Sequence, residues 1–217
     1  MDNIHKEVNY LSSNSYEVLN RLTSKTRNIW FVLHGMGYLS RFFLKHFDEL
    51  PPDENYIIAP QAPSKYYLNH SFKHIGASWL TKEDTLRETK NVLTYLDAVR
   101  ENEQLPESCN LILFGFSQGV SIATRWIAQR KFKCHKLILY AGGLPKELKP
   151  EDFDFLITNK TEVLTIVGDS DQYLTPERLK EETERINKVF KGRARHISFE
   201  GGHEIKKEII KNLDDDE

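Results

Sequence analysis

Six short apolar runs punctuate the chain: Ile29-Trp30-Phe31-Val32-Leu33, Tyr56-Ile57-Ile58-Ala59, Leu111-Ile112-Leu113-Phe114, Leu137-Ile138-Leu139-Tyr140, Val163-Leu164-Thr165-Ile166-Val167 and, more weakly, His196-Ile197-Ser198-Phe199. Each is too short for a helix and apolar at successive positions. Both faces of such a strand must be covered, which is the pattern of buried parallel strands. Between the runs, apolar residues return at helical spacing. Leu39, Phe43, Phe47 and Leu50 form one stripe. Leu86, Val92, Leu93, Leu96 and Val99 form a second, behind Thr81-Lys82-Glu83-Asp84, which fits a capping box. Val120, Ala123 and Ile127 form a third. Thr175-Pro176 opens a fourth helix as cap and first-turn proline, carried by Leu179, Ile186, Val189 and Phe190. Ile205, Ile209 and Leu213 carry the last. Upstream, Glu7 to Leu11 and Tyr16 to Leu19 flank Ser12-Ser13-Asn14-Ser15 and read as an N-terminal antiparallel hairpin.

A hairpin followed by β-α alternation predicts an α/β fold, with one mostly parallel sheet, helices on both faces and right-handed crossovers. No repeat or linker-like stretch interrupts it. The 217 residues suit one domain, taken as residues 1–213, with Asp214-Asp215-Asp216-Glu217 as a frayed acidic tail. Sites in such sheets lie beyond the carboxyl ends of the strands. The loops that follow the apolar runs are therefore where chemistry is expected.

Composition narrows the function. With 39% hydrophobic and 11% aromatic residues and a net charge of -2, the chain has a core to build and is not disordered. Near-neutrality removes the basic surplus that nucleic-acid binding needs, so no nucleic-acid partner is expected. No apolar run approaches the ~18 residues of a membrane span. Met1-Asp2-Asn3-Ile4-His5-Lys6 carries neither a signal-peptide core nor a glycine for myristoylation, so cytoplasmic residence is expected. Cys109 and Cys134, the only cysteines, lack metal or redox spacing and read as reduced, buried thiols.

Four loops carry candidate chemistry. The run ending at Phe114 enters Gly115-Phe116-Ser117-Gln118-Gly119, and a helix follows. This is a G-x-S-x-G elbow in strand-turn-helix context, which presents Ser117 as a nucleophile at a helix N-terminus. A serine hydroxyl needs a base. His203, in Glu200-Gly201-Gly202-His203-Glu204, follows the last strand and is expected to open the final helix. His5, His46, His135 and His196 are less well placed. His70 and His74 have a metal-like spacing, but they fall in a loop and no zinc signature accompanies them, so no metal site is expected. The imidazole needs a carboxylate, and Gly168-Asp169-Ser170-Asp171 offers two by position, Asp169 and Asp171. Asp152 and Asp154 read as a solvated acidic stretch. The fourth loop is His34-Gly35-Met36-Gly37 after Leu33, an open backbone whose N–H groups can face an oxyanion. The Gln118 amide, just after the serine, would be a second donor. The chain order of oxyanion loop, Ser, Asp, His is that of the α/β-hydrolases.

At these residues the chain resembles the phospholipase/carboxylesterase family of α/β-hydrolases, which includes acyl-protein thioesterases. The matching pieces are Leu33-His34-Gly35-Met36-Gly37, Ile58-Ala59-Pro60, Trp79, Gly115-Phe116-Ser117-Gln118-Gly119, Gly168-Asp169-Ser170-Asp171 and Gly202-His203-Glu204, within a resemblance running from Phe31 to about Ile210. The resemblance implies an α/β-hydrolase fold without a large lid domain, and a serine hydrolase acting on carboxylic esters or thioesters. It selects Asp171 as the acid and the Met36 amide as the first oxyanion donor, and it requires no metal or organic cofactor. The sequence departs from the family at Tyr38-Leu39-Ser40, at Gln172-Tyr173-Leu174-Thr175-Pro176 and across Gln61 to Trp79. The last stretch is rich in aromatics that could form an apolar acyl groove. Tyr38, Tyr67, Trp79 and Tyr173 are accordingly the candidate contacts to a small-molecule or acyl-chain substrate. Two other readings use the same residues: a peptidase on this triad, and a catalytically silent hydrolase fold acting as a ligand-binding protein.

Overall fold

The computed structural model describes residues 4–215. Its strands are β1 (Tyr16–Leu19), β2 (Asn28–Leu33), β3 (Asn55–Pro60), β4 (Ser64–Tyr67), β5 (Ile75–Ser78), β6 (Asn110–Phe116), β7 (Lys136–Tyr140), β8 (Glu162–Gly168) and β9 (Ala194–Phe199). Its helices are α1 (Ser40–Phe43, prolonged by a 3-10 turn to His46), α2 (Thr85–Glu103), α3 (Gln118–Arg130), α4 (Asp154–Thr158), α5 (Pro176–Val189) and α6 (Lys207–Asp215). Seven strands form one sheet in the order β1-β3-β2-β6-β7-β8-β9, parallel throughout except for the β1–β3 pair. This is the α/β-hydrolase arrangement expected from the sequence.

The continuous apolar runs are explained by two cores. Strand side chains alternate between faces. Ile29, Phe31, Leu33, Leu113, Leu137 and Leu139 meet α2 and α3 through Val92, Leu96, Ala123, Trp126 and Ile127. Trp30, Val32, Phe114, Ile138 and Leu164 meet Phe43, Phe47, Ile210 and Leu213 on the other face.

Several expectations change. The N-terminal antiparallel pairing exists, but β1 pairs with β3, Tyr16 opposite Pro60, and residues 7–11 are exposed and outside any strand. A lone two-stranded ribbon is marginal in water, whereas the β3 edge offers a preformed ladder. The stretch from Gln61 to Trp79 contains a second, two-stranded sheet, β4 and β5, turning through Asn69 to Phe72. The capping box before α2 is absent. Asp84 precedes Thr85 in a left-handed conformation, the Thr81 hydroxyl accepts only the nearby Glu83 N–H, and Leu86 projects into solvent. Thr175, by contrast, caps α5 as expected, accepting the Arg178 N–H.

Helix α6 runs into the expected acidic tail, and Asp214 is part of it rather than frayed. An asparagine ladder across the amino ends of the strands holds it. Asn28 Nδ2 donates to Asp214 Oδ1 at 2.7 Å, and Asn55 Nδ2 donates to Asp214 Oδ2 at 3.0 Å. Asn55 also accepts the Trp30 indole N–H at 2.8 Å, and Asn110 donates to Asn28 at 3.1 Å. Asp216 and Glu217 lie outside the described residues. Asn55 is wholly buried. Asn55→Ala leaves the Trp30 N–H without a partner, and it should lower unfolding free energy by about 2–3 kcal/mol. Urea unfolding would show this as a lower midpoint at unchanged slope.

Candidate active site

Strand β6 turns sharply into α3 at Ser117, which has φ +53° and ψ -116°. A residue with a side chain in this region stores strain on the order of 1–3 kcal/mol, which the surrounding structure must hold. The Ser117 N–H is fixed to the Tyr140 carbonyl of β7 at 2.8 Å. The turn is tight because α3 starts against the end of β2. A Cβ on Gly119 would lie 2.0 Å from the Leu33 carbonyl oxygen.

Two hydrogen bonds run back from the serine. Ser117 Oγ lies 2.9 Å from His203 Nε2, and His203 Nδ1 lies 2.7 Å from Asp171 Oδ2. The carboxylate accepts at Nδ1, so Nδ1 carries the proton and Nε2 is free to accept from the serine hydroxyl. Asp171 is buried, and its second oxygen accepts the Tyr173 N–H at 2.9 Å. The His203 ring sits between two aromatics, with Phe116 at 5.1 Å and Tyr173 edge-on at 4.7 Å between centroids. Only Asp171 of the two aspartates reaches His203. Asp169 ties the two loops together instead, accepting the Gly201 N–H at 3.1 Å and the Ser170 hydroxyl at 2.9 Å. Those two bonds hold its carboxyl below the usual range. His203 lies in a bend and does not open the final helix, which begins at Lys207. The glycines before it let the loop approach β8 instead.

The loop from His34 to Gly37 is anchored from behind. His34 is fully buried. Its Nδ1 lies 2.8 Å from the Gly35 carbonyl, and its Nε2 accepts the Ala62 N–H at 3.1 Å. This pair of partners fixes the neutral ring with its proton on Nδ1. Burial pulls its pKa down from 6.5 to about 4. Trp79 donates its indole N–H to the His34 carbonyl at 2.7 Å, and its backbone N–H goes to Gln118 Oε1 at 2.8 Å. Gln118 Nε2 donates to the Leu80 carbonyl at 2.7 Å. Gly37, at φ +89°, donates its N–H to Ala77 of β5 at 2.8 Å. The His34 loop, β5 and the start of α3 are thus cross-linked. Among the described residues, the Met36 and Gln118 N–H groups have no backbone acceptor, and both residues line the cavity beside Ser117.

That cavity, about 640 Å³, runs from Ser117 and His203 along β7 and β8 beneath α5. The four candidate substrate contacts separate. Tyr173 lines the cavity. Trp79 is buried and serves the loop network, so it is no acyl contact. Tyr67 is exposed on β4 and stacks edge-on with Phe72. Tyr38 lines a separate hollow of about 420 Å³ with Phe42, Leu68 and Ile75. The acyl groove anticipated from the aromatic loop therefore does not form at Ser117. Sequence reading missed the side-chain role of Gln118 and the cavity residues Ser121 and Arg125. The latter two carried a signal, since they follow Ser117 at four-residue spacing on one helix face. Among the described residues, no group of three or more His, Cys, Asp or Glu is arranged to hold a metal ion, and no helix is long and apolar enough to cross a membrane. Both cysteines are free and buried. Asp152 and Asp154 are not merely solvated: Asp152 accepts the Lys149 N–H at 2.8 Å, and Asp154 pairs with Lys191 at 2.5 Å.

The family model for phospholipases/carboxylesterases matches residues 14–215. Among solved structures, acyl-protein thioesterase 2 of Zea mays superposes with a TM-score of 0.68 at 17% identity, covering 93% of this chain and 96% of that one. A phospholipase/carboxylesterase of Dyadobacter fermentans gives 0.68 at 20% identity, over 95% and 97%. Esterase PE8 gives 0.67 at 23% identity, over 93% and 98%. No curated protein matches the chain.

Two outcomes follow from this packing. The unfolded chain protonates His34 before the folded one does. The stability this group contributes is complete above pH 6.5 and is lost as pH falls toward 4. Each tenfold difference in proton affinity is worth about 1.4 kcal/mol, so the loss reaches roughly 3 kcal/mol. Urea titrations across that range should show a shallower pH dependence for His34→Gln. Gly119→Ala forces α3 from β2 and should cost about 2–3 kcal/mol, read as a drop in melting temperature.

Proposed function

The chain belongs to the phospholipase/carboxylesterase family and is a carboxylic ester hydrolase, and from that premise we propose that it cleaves esters or thioesters through Ser117, His203 and Asp171 by way of an acyl-enzyme. The observation that carries this reading is the pair of hydrogen bonds joining Ser117 Oγ to His203 Nε2 and His203 Nδ1 to Asp171, opening on a single cavity.

In the first step Ser117 Oγ attacks the carbonyl carbon while His203 Nε2 takes the hydroxyl proton. Asp171 stabilises the imidazolium without becoming protonated, and it keeps Nδ1 as the donor. The Met36 and Gln118 N–H groups receive the negative charge on the tetrahedral oxygen. Preorganisation supports that role: the loop network through His34, Trp79 and Gln118 holds both amides in place before substrate arrives. His203 then gives its proton to the departing alcohol or thiol. A water molecule loses a proton to the same nitrogen, attacks the acyl-enzyme and releases the acid, returning the proton to Ser117. Burial of Asp171 and the flanking rings of Phe116 and Tyr173 keep the imidazole in one orientation throughout.

A fluorophosphonate should add once to the intact protein and not to Ser117→Ala, as read by intact mass. Absence of an adduct on the unaltered protein overturns the assignment. Asp171→Asn should preserve folding yet lower kcat by roughly 10⁴, because the amide favours the wrong imidazole tautomer. Steady-state hydrolysis of a chromogenic short-chain ester measures it.

A further inference from the structure

The cavity at Ser117 is lined by polar and charged groups well beyond the serine. Ser121 and Arg125 occupy one face of α3, about one and two turns on from Ser117 at its N-cap, and all three line the cavity. The Arg125 side chain is only 14% exposed. Its Nε donates to Glu147 Oε1 at 2.7 Å, and its Nη1 lies 3.5 Å from the Ser121 carbonyl. The guanidinium therefore leans back along the helix, as helical side chains do, to about the level of Ser121. That level is one turn, roughly 6 Å, from Ser117. Glu147 does not line the cavity and holds Arg125 from the outside. A guanidinium has five N–H donors in a planar fork, so an edge remains for a ligand carboxylate.

Two further cations line the same space. Arg178, in the first turn of α5, is held by the Tyr173 carbonyl at 3.0 Å, and Lys146 stands at the rim. Among the described lining residues, the only carboxylates are Asp171, engaged by His203, and Glu182, which accepts the Leu144 N–H at 3.3 Å. Of the uncharged polar residues that line it, Thr165 is buried and lies 2.9 Å from His196 Nδ1, while Thr183, Asn187 and His196 are exposed. A long alkyl chain laid along this lining would take water from the charged heads of Arg125, Arg178 and Lys146, at a cost for each.

Resting on the hydrolase reading above, we propose that the preferred substrate is a short ester or thioester bearing a carboxylate, with the anion seated on Arg125 and supported by Arg178 and Lys146. The carboxylate could belong to the acyl part or to the leaving part, and the test separates these two sources. Two anionic esters are each compared by kcat/KM with a neutral counterpart. The para-nitrophenyl half-ester of glutarate is set against para-nitrophenyl butyrate, and the butyrate ester of para-hydroxybenzoate is set against phenyl butyrate.

One of the two anionic esters should exceed its neutral counterpart by about tenfold or more, mainly through KM, and the preference should shrink between roughly 0.02 and 0.5 M salt. A preference for the glutarate half-ester assigns the anion to the acyl part. A preference for the hydroxybenzoate ester assigns it to the leaving part. Arg125→Gln should reduce the preference about tenfold and Arg125→Lys less, because lysine keeps the charge but not the fork. Lys90→Gln, the same charge change on the exposed face of α2, should keep it. The salt series uses the unaltered protein and stands even if Arg125→Gln fails to fold. Hydrolysis of the neutral butyrates with no gain from either anionic ester overturns the proposal while leaving the hydrolase reading intact. No hydrolysis of any ester, together with no fluorophosphonate adduct, defeats the hydrolase reading and this proposal with it.

Discussion

The start of α3 presses against the end of β2, and the rest of the site depends on that contact. Only a residue without a side chain can stand at Gly119, 2.0 Å from the Leu33 carbonyl by the position a Cβ would take. The approach forces the strained turn at Ser117. It also brings Gln118 beside the loop that continues from Leu33 through His34 to Met36. The two amides proposed to meet the oxyanion therefore come from the two segments in contact. His34 secures the arrangement from within. It works as a neutral spacer that hydrogen-bonds on both sides, and its chemistry is that of the core.

The parallel sheet was legible because burial on both faces writes a continuous apolar run, and nothing else of that length does so. All six runs became strands, extended by at most two residues at either end. The elements that failed are those whose state depends on a distant partner. Glu7 to Leu11 has strand-like residues, but β3 takes up the neighbouring segment and leaves it without a ladder. Thr81 to Asp84 matches a capping pattern that would start the helix at Lys82, yet the helix begins at Thr85 after a left-handed Asp84. The β4–β5 hairpin was hidden because its exposed residues carry no clear alternation.

The loops that carry Ser117, His203 and Asp171 were more legible than the cavity beside them. Ser117, His203 and Asp171 each follow a strand, and strand ends converge by topology alone. The choice of Asp171 over Asp169 came from resemblance, and the geometry gives its reason: one aspartate faces the ring, and the other laces the two loops. Aromatic richness from Tyr66 to Trp79 suggested a groove. Whether an aromatic faces a site, the core or solvent is a tertiary property, however, and Trp79, Tyr38 and Tyr67 went three separate ways.

Helix α5 forms one wall of the cavity, yet Val189 is its sole buried residue among those described, and Leu179 stands partly in solvent. The free energy that seats it is correspondingly small. Segments with few apolar contacts open locally far below the threshold for global unfolding. Ser117, by contrast, follows β6, whose Ile112, Leu113, Phe114 and Phe116 are all buried. The molecule thus separates a stiff serine turn from a compliant wall. On the proposed mechanism, exchange of one acid product for the next ester can proceed by displacing that wall while Ser117, at the end of a buried strand, keeps its place.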